Sequence, residues 1–276
     1  MIRVGNISIR CGQSMFPDHS LLIKLDPNYM FDNRGAIKVE WFYEGDSELF
    51  TLICVKRHID RHFPGQDVIL DMPYIPHARM DRVKSDEDVF TLKYFCEIIN
   101  SLNFKIVWVR DAHSNVSLAL LENVCDTGVK SYINKATQAS KAEVLFFPDE
   151  GAMKRYSDQS PLPYAFGMKK RDWTTGKIQG LEIIHPENIK DKNVLIVDDI
   201  CSRGGTFYHS AKALKAAGAK SVSLYVTHLE KTVTLGDLAS SDGLVDHIYT
   251  TESIFPEKLF GPGYDDHWKN WITVFH

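Results

Sequence analysis

One stretch, NVLIVDDICSRGGT at residues 193–206, constrains the fold of this chain more than any other. It opens with a continuous apolar run from Val194 to Val197, which is typical of a strand buried on both faces of a parallel sheet. Asp198 and Asp199 come next, at the end of the strand where open α/β sheets bind their ligands. The sequence therefore predicts an α/β fold with an acidic pair at the carboxyl edge of a mainly parallel sheet.

A small polar loop and a helix follow the two acids. The loop residues are Ser202, Arg203, Gly204, Gly205 and Thr206. The glycines let backbone N–H groups approach an anion without a Cβ in the way, and the helix predicted at residues 207–217 attracts a phosphate with its N-terminus. Carboxylates accept hydrogen bonds from vicinal hydroxyls, so the whole stretch favours a sugar-phosphate site over an ordinary turn with two solvated aspartates.

The bulk properties exclude several classes of protein. The chain has 276 residues, which suits two domains, and its net charge of −4 gives no basic field to hold nucleic acid. No apolar run approaches the roughly 20 residues that span a bilayer, and the first residues lack the pattern of a secretory signal. The 5 cysteines are scattered and form no CxxC motif, which indicates reduced thiols. We therefore expect a cytoplasmic protein without membrane or nucleic-acid partners.

Strand and helix patterns alternate along the chain, which predicts a doubly wound sheet in each half. The predicted strands are residues 3–10, 21–25, 36–43, 67–72, 105–111, 143–149, 194–197, 221–228 and 247–251. The predicted helices are residues 46–63, 88–102, a short one from about 151, 207–217 and 235–239. Asp46 is the expected N-cap of the first helix. Residues 168–180 lack a clear period, and the polar segment 126–142 is the expected junction between the halves.

Several short motifs carry polar residues near the predicted strand ends. They are FYEGD at 42–46, PHARMDR at 76–82, DAH at 111–113, PDEGAMKR at 148–155, KKR at 169–171 and TH at 227–228. Each has an ordinary explanation when taken singly. A histidine after a strand is usually structural, a basic triplet is usually a solvated surface, and Arg79 with Asp81 fits a surface ion pair worth at most about 1 kcal/mol.

In this order and spacing, together with residues 193–206, the motifs resemble the ribose-phosphate pyrophosphokinases, or phosphoribosyl-diphosphate (PRPP) synthetases. The resemblance runs from about residue 36 to about residue 255, and the chain looks like a short, divergent member. It implies two tandem phosphoribosyltransferase-like domains, each a mainly parallel sheet with flanking helices. Residues 1–135 would form the ATP side, and residues 136–276 would carry the ribose-phosphate loop.

The resemblance also implies a reaction and roles for particular residues. The diphosphoryl group of ATP would move to C1 of ribose 5-phosphate, giving PRPP and AMP, with Mg²⁺ bridging the ATP phosphates. His113, Lys169 and Arg171 match catalytic positions, the last two on a mobile flap, and His113 and Asp149 match positions beside the metal. The matched ATP-contacting residues are Phe42, Glu44, Arg79 and Asp81. The matched ribose 5-phosphate residues are Asp198, Asp199, Ser202, Arg203, Gly204, Gly205 and Thr206. Phe42 and Glu44 match a loop that serves a neighbouring subunit, which implies a homo-oligomer of at least two chains.

The chain departs from the family pattern at several of these positions. Ser202 stands where the family loop begins with Asp, and Arg203 with Gly204 replaces Thr-Ala, so the loop looks closer to type I phosphoribosyltransferases. Met80 replaces a glutamine beside Arg79, and His77 replaces a tyrosine. Two alternatives stay open: a phosphoribosyltransferase that consumes PRPP, and a non-catalytic regulatory subunit with the same fold.

Overall fold

The computed structural model describes residues 1–5, 7–9, 15–25, 35–171, 178–240, 243–254 and 270–276. They form two compact units, Met1–Gly128 and Val129–His276, each built around its own sheet. Both sheets are mainly parallel with helices between their strands, so the predicted α/β class is confirmed. The division predicted after residue 135 lies inside the helix Lys130–Ser140, whose residues belong to the second unit.

The described part of the first unit contains six strands and three α-helices. The strands are β1 (Ile2–Val4), β2 (Ile7–Ile9), β3 (Ile37–Trp41), β4 (Val68–Asp71), β5 (Ile106–Val109) and β6 (Val124–Asp126); the helices are α1 (Ser47–His62), α2 (Thr91–Ser101) and α3 (Asn115–Leu120). Their sheet order is β2-β1-β3-β4-β5-β6. The β1 strand pairs antiparallel with both neighbours, and the pairs from β3 to β6 are parallel.

The core of the first unit lies between one face of this sheet and the apolar stripes of α1 and α2. Val39, Trp41 and Leu70 from the strands pack with Leu52 of α1 and Phe95 of α2, all buried. Alternate residues of each strand face these helices because successive side chains point to opposite faces. The helices are therefore held by burial, at roughly 25 cal/mol per Å² of apolar surface.

Three predictions for the first unit were wrong in detail. The strand predicted at residues 3–10 is two strands, because Gly5 at φ 54° turns the chain so that Val4 faces Ile7. Residues 21–25 form no strand, and Leu21 makes only a single bridge to Met15. The second helix begins at Thr91 rather than at 88, because the Asp88 carboxylate accepts the backbone N–H groups of residues 84 and 85 and so belongs to the preceding turn.

The described part of the second unit contains seven strands and four α-helices. The strands are β7 (Val144–Phe147), β8 (Tyr164–Arg171), β9 (Ile178–Ile184), β10 (Asn193–Cys201), β11 (Ser221–Leu229), β12 (His247–Thr251) and β13 (Ile272–Phe275); the helices are α4 (Lys130–Ser140), α5 (Glu150–Tyr156), α6 (Gly205–Ala216) and α7 (Asp237–Ser240). Short 3₁₀ turns lie at Pro186–Asn188 and Lys231–Leu235. The sheet order is β13-β12-β11-β10-β7-β8-β9, and all pairs are parallel except β8 with β9.

Both faces of the second sheet are buried around β10. Val194 and Ile196 pack on one side with Leu214 of α6, and Leu195 and Val197 pack on the other with a second group of apolar side chains. The continuous apolar run of this strand follows from burial on both faces, as predicted. Among the residues that the structure describes, no helix combines the length and apolar character needed to span a bilayer.

Some elements of the second unit were missed by the sequence patterns. The poorly patterned segment 168–180 begins and ends in the antiparallel strands β8 and β9, and its residues 172–177 lie outside the described chain. The expected junction at 126–142 contains the helix α4, and the C-terminal segment contributes β13 at one edge of the sheet.

Candidate active site

The acidic pair of the second unit lies inside β10 rather than after it. This strand continues to Cys201, and its residues Asp198 and Ile200 still pair with Val226 and His228 of β11. The backbone N–H of Asp199 donates to Oδ1 of Asp198 over 3.0 Å. Both carboxylates are therefore carried by paired backbone at the carboxyl end of the strand.

The two carboxylates have different surroundings. Asp199 is 5% exposed, and its Oδ2 lies 3.3 Å from a guanidinium nitrogen of Arg155 in the last turn of α5. Asp198 is half-buried, and burial, followed by the negative charge of Asp199, raises its pKa well above the usual value. Asp149 adds to this effect, while the N–H of Asp199 opposes it. Asp198 therefore keeps its proton to a higher pH than an ordinary aspartate does.

Asp149 is placed by the helix that follows it. It is the N-cap of α5, and its Oδ1 accepts the backbone N–H of Ala152 over 3.0 Å. Because the capping hydrogen bond occupies Oδ1, Oδ2 is the oxygen that can bind another group. Its electrostatic effect on Asp198 shows that the structure brings the predicted metal position close to the predicted sugar position.

The loop after β10 is braced by the segment that follows β11. Ser202 Oγ lies 3.1 Å from Oγ1 of Thr232, and the N–H of Glu230 donates to the carbonyl of Cys201 over 2.8 Å. A Cβ placed on Gly236 would meet the carbonyl oxygen of Arg203 at 1.8 Å. Only a glycine allows this close approach of two backbones, so residues 230–236 support the loop from behind.

Glycine is required at one loop position and not at the next. Gly204 has φ +79°, and a Cβ there would lie 2.7 Å from the Cβ of the buried Leu238. Gly205 has open space around its missing side chain. The helix α6 begins at Gly205, two residues earlier than predicted, so Gly205 and Thr206 belong to its first turn. The first N–H groups of a helix have no partner within the helix, which leaves them for a ligand.

Lys169 and Arg171 lie on β8, in the part that pairs with the edge strand β9. Lys169 faces Leu181 across the pair, and the register shifts between Lys170 and Arg171. The segment predicted as a flap therefore forms an antiparallel pair of strands up to residue 171.

In the first unit, the 42–46 loop is held by a buried carboxylate that the sequence did not single out. Glu48, 2% exposed, accepts from the indole N–H of Trp41 and from the backbone N–H of Glu44, both over 2.9 Å. Phe42 is half-buried, with the Arg3 guanidinium 5.0 Å from its ring centre, and Glu44 is exposed. These contacts fix the backbone of the loop, and the exposed Glu44 carboxylate lies 3.5 Å from the N-terminal ammonium of Met1.

A second group in the first unit joins the 76–82 and 111–114 segments. Asp81 accepts from Nε of Arg82 over 2.8 Å, and this hydrogen bond is the main cause that holds the pKa of Asp81 below its usual value. Ser114 and the charge of His113 act in the same direction. The effect of His113 on Asp81 shows that the two side chains lie near each other. His113 is exposed, and so is Arg79, two residues before Asp81.

The turn that carries His113 is shaped by Asp126 of β6. Its two carboxylate oxygens accept the N–H groups of Asp111 and Ala112 over 2.9 and 3.1 Å. Asp111 has φ 50°, a left-handed conformation that these bonds hold. Neither Asp126 nor Arg155 was assigned a role from sequence. Arg155 does end the PDEGAMKR motif, whereas Asp126 and Gly236 have no sequence signal, because their roles depend on chain segments that meet only in the fold.

Comparison with known proteins agrees with the resemblance. A phosphoribosyl transferase domain matches residues 153–266. Ribose-phosphate pyrophosphokinases match over most of the chain: that of Saccharolobus solfataricus is 26% identical over 227 residues, which cover 80% of this chain and 77% of the relative. That of Pyrococcus furiosus is 27% identical over 232 residues, 82% of this chain and 78% of the relative.

The chain is a divergent relative of the ribose-phosphate pyrophosphokinases. The matched residues span both units, and the proteins they match are enzymes by name. The crystal structure of phosphoribosylpyrophosphate synthetase from Mycobacterium smegmatis has the same fold, with a TM-score of 0.70 and 17% identity over 95% of this chain and 84% of that one.

Proposed function

We propose that this protein transfers the β,γ-diphosphoryl group of ATP to the C1 hydroxyl of ribose 5-phosphate, giving PRPP and AMP. One observation carries the sugar-phosphate part: the two carboxylates of β10 lie directly before a glycine loop that opens into the N-terminus of α6. The names of the relatives support the diphosphoryl part. Phosphoryl transfer needs positioning and neutralisation of charge more than covalent help, and these residues are of the type that supplies both.

In this proposal the second unit holds the sugar. Asp198 and Asp199 accept from the ribose hydroxyls, and Arg155 keeps the Asp199 carboxylate in place through its ion pair. The backbone N–H groups from Ser202 to Thr206 and the N-terminus of α6 bind the 5-phosphate. The closed backbone contact at Gly236 keeps this loop in shape before the ligand arrives.

The first unit contributes the contacts to ATP. Phe42 and Glu44 lie on the loop that Glu48 anchors, and they contact the adenine of a neighbouring chain, so the active form is at least a dimer. Arg79 and Asp81 contact ATP near His113. The cations of Lys169 and Arg171 on β8 stabilise the charge of the diphosphoryl group as it moves.

The residues fit a magnesium ion that is held mainly by substrate. No group of three or more His, Cys, Asp or Glu side chains that could hold a metal occurs within the described residues. Mg²⁺ commonly takes one or two carboxylates and completes its shell with phosphates and water. Asp149 offers such a carboxylate, and its Oδ1 is already oriented by Ala152. Bound Mg²⁺ would neutralise phosphate charge, while His113 would lie beside the triphosphate.

The first test is AMP formation from ATP and Mg²⁺, with and without ribose 5-phosphate. We expect AMP only when the sugar is present. AMP formation without the sugar, or no AMP from a protein that still binds PRPP, would reject the proposal and favour a phosphoribosyltransferase or a non-catalytic subunit. Lys169→Ala should lower kcat by orders of magnitude without weakening ATP binding. Lys192→Ala is the matched control, because Lys192 is a half-exposed lysine paired with Glu143 in the same unit.

A further inference from the structure

Three side chains of the first unit meet at one carboxylate oxygen. The hydroxyl of Tyr43 donates to Oδ1 of Asp46 over 2.7 Å, and Nε2 of His77 lies 3.0 Å from the same oxygen. We call Tyr43, Asp46 and His77 the Asp46 clasp. It joins the 42–46 loop to the 76–82 segment, which are 30 or more residues apart in the sequence.

The Asp46 carboxylate makes these contacts in place of a helix cap. Asp46 occupies the N-cap position of α1, as predicted, but its side chain makes no capping hydrogen bond. Aspartate is among the preferred N-cap residues because its side chain can accept a backbone N–H there. Here the carboxylate instead bonds Tyr43 and His77, so the Asp46 side chain connects two chain segments and does not cap α1.

Both partners of Asp46 are themselves anchored. His77 has a left-handed backbone at φ 62°, a conformation that is uncommon for residues other than glycine. Its ring centre lies 5.6 Å from that of the buried Phe95 in α2. The ring of Tyr43 lies 6.1 Å from Tyr74, and burial and the bond to Asp46 raise the pKa of Tyr43, so its hydroxyl stays a donor.

The clasp lies between the residues that contact ATP in the proposed function. Phe42 and Glu44 flank Tyr43 on one segment, and Arg79 and Asp81 follow His77 by two and four residues on the other. We propose that His77 and Asp46 are positioning residues for nucleotide binding. They fix the 42–46 loop, which serves the nucleotide of a neighbouring chain, against the 76–82 segment, which serves the nucleotide of its own chain. The inference rests on the proposed function.

Substitutions at His77 separate positioning from folding. His77→Gly removes the side chain but suits the left-handed backbone, so the relief of backbone strain offsets part of the stability lost with the contacts to Asp46 and Phe95. A hydrogen bond of this kind contributes about 0.5–1.5 kcal/mol, so KM for ATP should rise about twofold to thirteenfold, with kcat and KM for ribose 5-phosphate unchanged. His77→Gln, whose amide can donate toward Asp46, should restore part of the lost affinity.

The second unit offers a matched control. His185 also has a left-handed backbone, at φ 63°, and its Nδ1 lies 3.2 Å from Oε1 of Glu187. His185→Gly should leave KM for ATP unchanged, because it removes the same kind of pair from a segment without nucleotide contacts.

Two results would overturn the inference: an unchanged KM for ATP in His77→Gly, or an equal rise in KM for both substrates. A wild-type protein that forms no AMP would count against the proposed function alone. ATP affinity of the same variants, measured by calorimetry, would then test the clasp, and equal affinity of His77→Gly and the wild type would reject it.

Discussion

The sharpest stability prediction concerns Gly204, the first glycine of the loop after β10. Gly204→Ala combines two penalties: the residue has φ +79°, and its new Cβ would lie 2.7 Å from the Cβ of Leu238. Leu238 is 1% exposed and belongs to the buried core of the second unit, so it cannot move aside freely. The neighbouring Gly205 has neither problem.

The two penalties can be given separate magnitudes. A left-handed conformation costs a residue with a Cβ about 1–2 kcal/mol. Forcing an extra carbon into a packed core costs about 1–3 kcal/mol. We therefore expect Gly204→Ala to lower the free energy of unfolding by about 2–5 kcal/mol, which is a large share of the roughly 5–15 kcal/mol typical of a native protein.

Two matched variants separate the backbone penalty from the penalty of the contact with Leu238. Gly243→Ala lies in the same unit at φ +70° with nothing within 4 Å, so it should show the backbone penalty alone. Gly205→Ala should be neutral or slightly stabilising, since it lies at the start of α6 in open space, but its Cβ should raise KM for ribose 5-phosphate. Urea unfolding followed by circular dichroism gives the three free energies. A loss in Gly204→Ala no larger than that in Gly243→Ala would refute the role of Leu238.

Three further predictions concern charged groups. Asp198→Asn should raise the free energy of unfolding near pH 7, and this gain should shrink toward pH 4. Because the pKa of Asp198 is raised in the folded protein, the wild type loses stability as Asp198 ionises with rising pH. Melting temperatures of both proteins across this pH range test the prediction. Arg155→Gln should cost about 1–3 kcal/mol by leaving the buried Asp199 without its cation, and adding Asp199→Asn should recover part of that loss in urea unfolding. His58→Leu should stabilise by about 1 kcal/mol, because the buried Nε2 of His58 finds no hydrogen-bond partner among the described residues. Burial lowers the pKa of His58, so wild-type stability should also fall as pH drops below about 6.5, and an equally steep fall in the variant would contradict this.

Sequence patterns predicted best where one local rule decides the structure. The apolar run of β10 and the stripes of α1 and α2 gave strands and helices because burial on a fixed face leaves a period in the sequence. The acidic pair and the glycine loop were found for the same reason, since their chemistry is contained in one short stretch.

Predictions failed where residues distant in sequence decide the outcome. The helix α4 has only Ile133 and Ala136 fully buried, so it leaves little periodic signal. The basic residues at the end of β8 form a strand because β9 pairs with them, not because of their own pattern. Asp46 was predicted to cap α1, but His77, from another segment, takes its carboxylate. Asp81 pairs with Arg82, its neighbour in the chain, over 2.8 Å, a contact that the sequence patterns did not predict.

The continuation of β10 through Asp198 and Asp199 has a consequence for how binding and folding are connected. Because these residues lie in a ladder with β11, their backbone is ordered by folding, and a ligand does not have to supply that ordering. In the proposed function, affinity for ribose 5-phosphate then depends on the local unfolding equilibrium of the β10–β11 ladder. Substitutions in the buried core beneath this ladder that favour its opening should lower the apparent affinity by the same factor as they lower the closed population, although they touch no atom of the ligand.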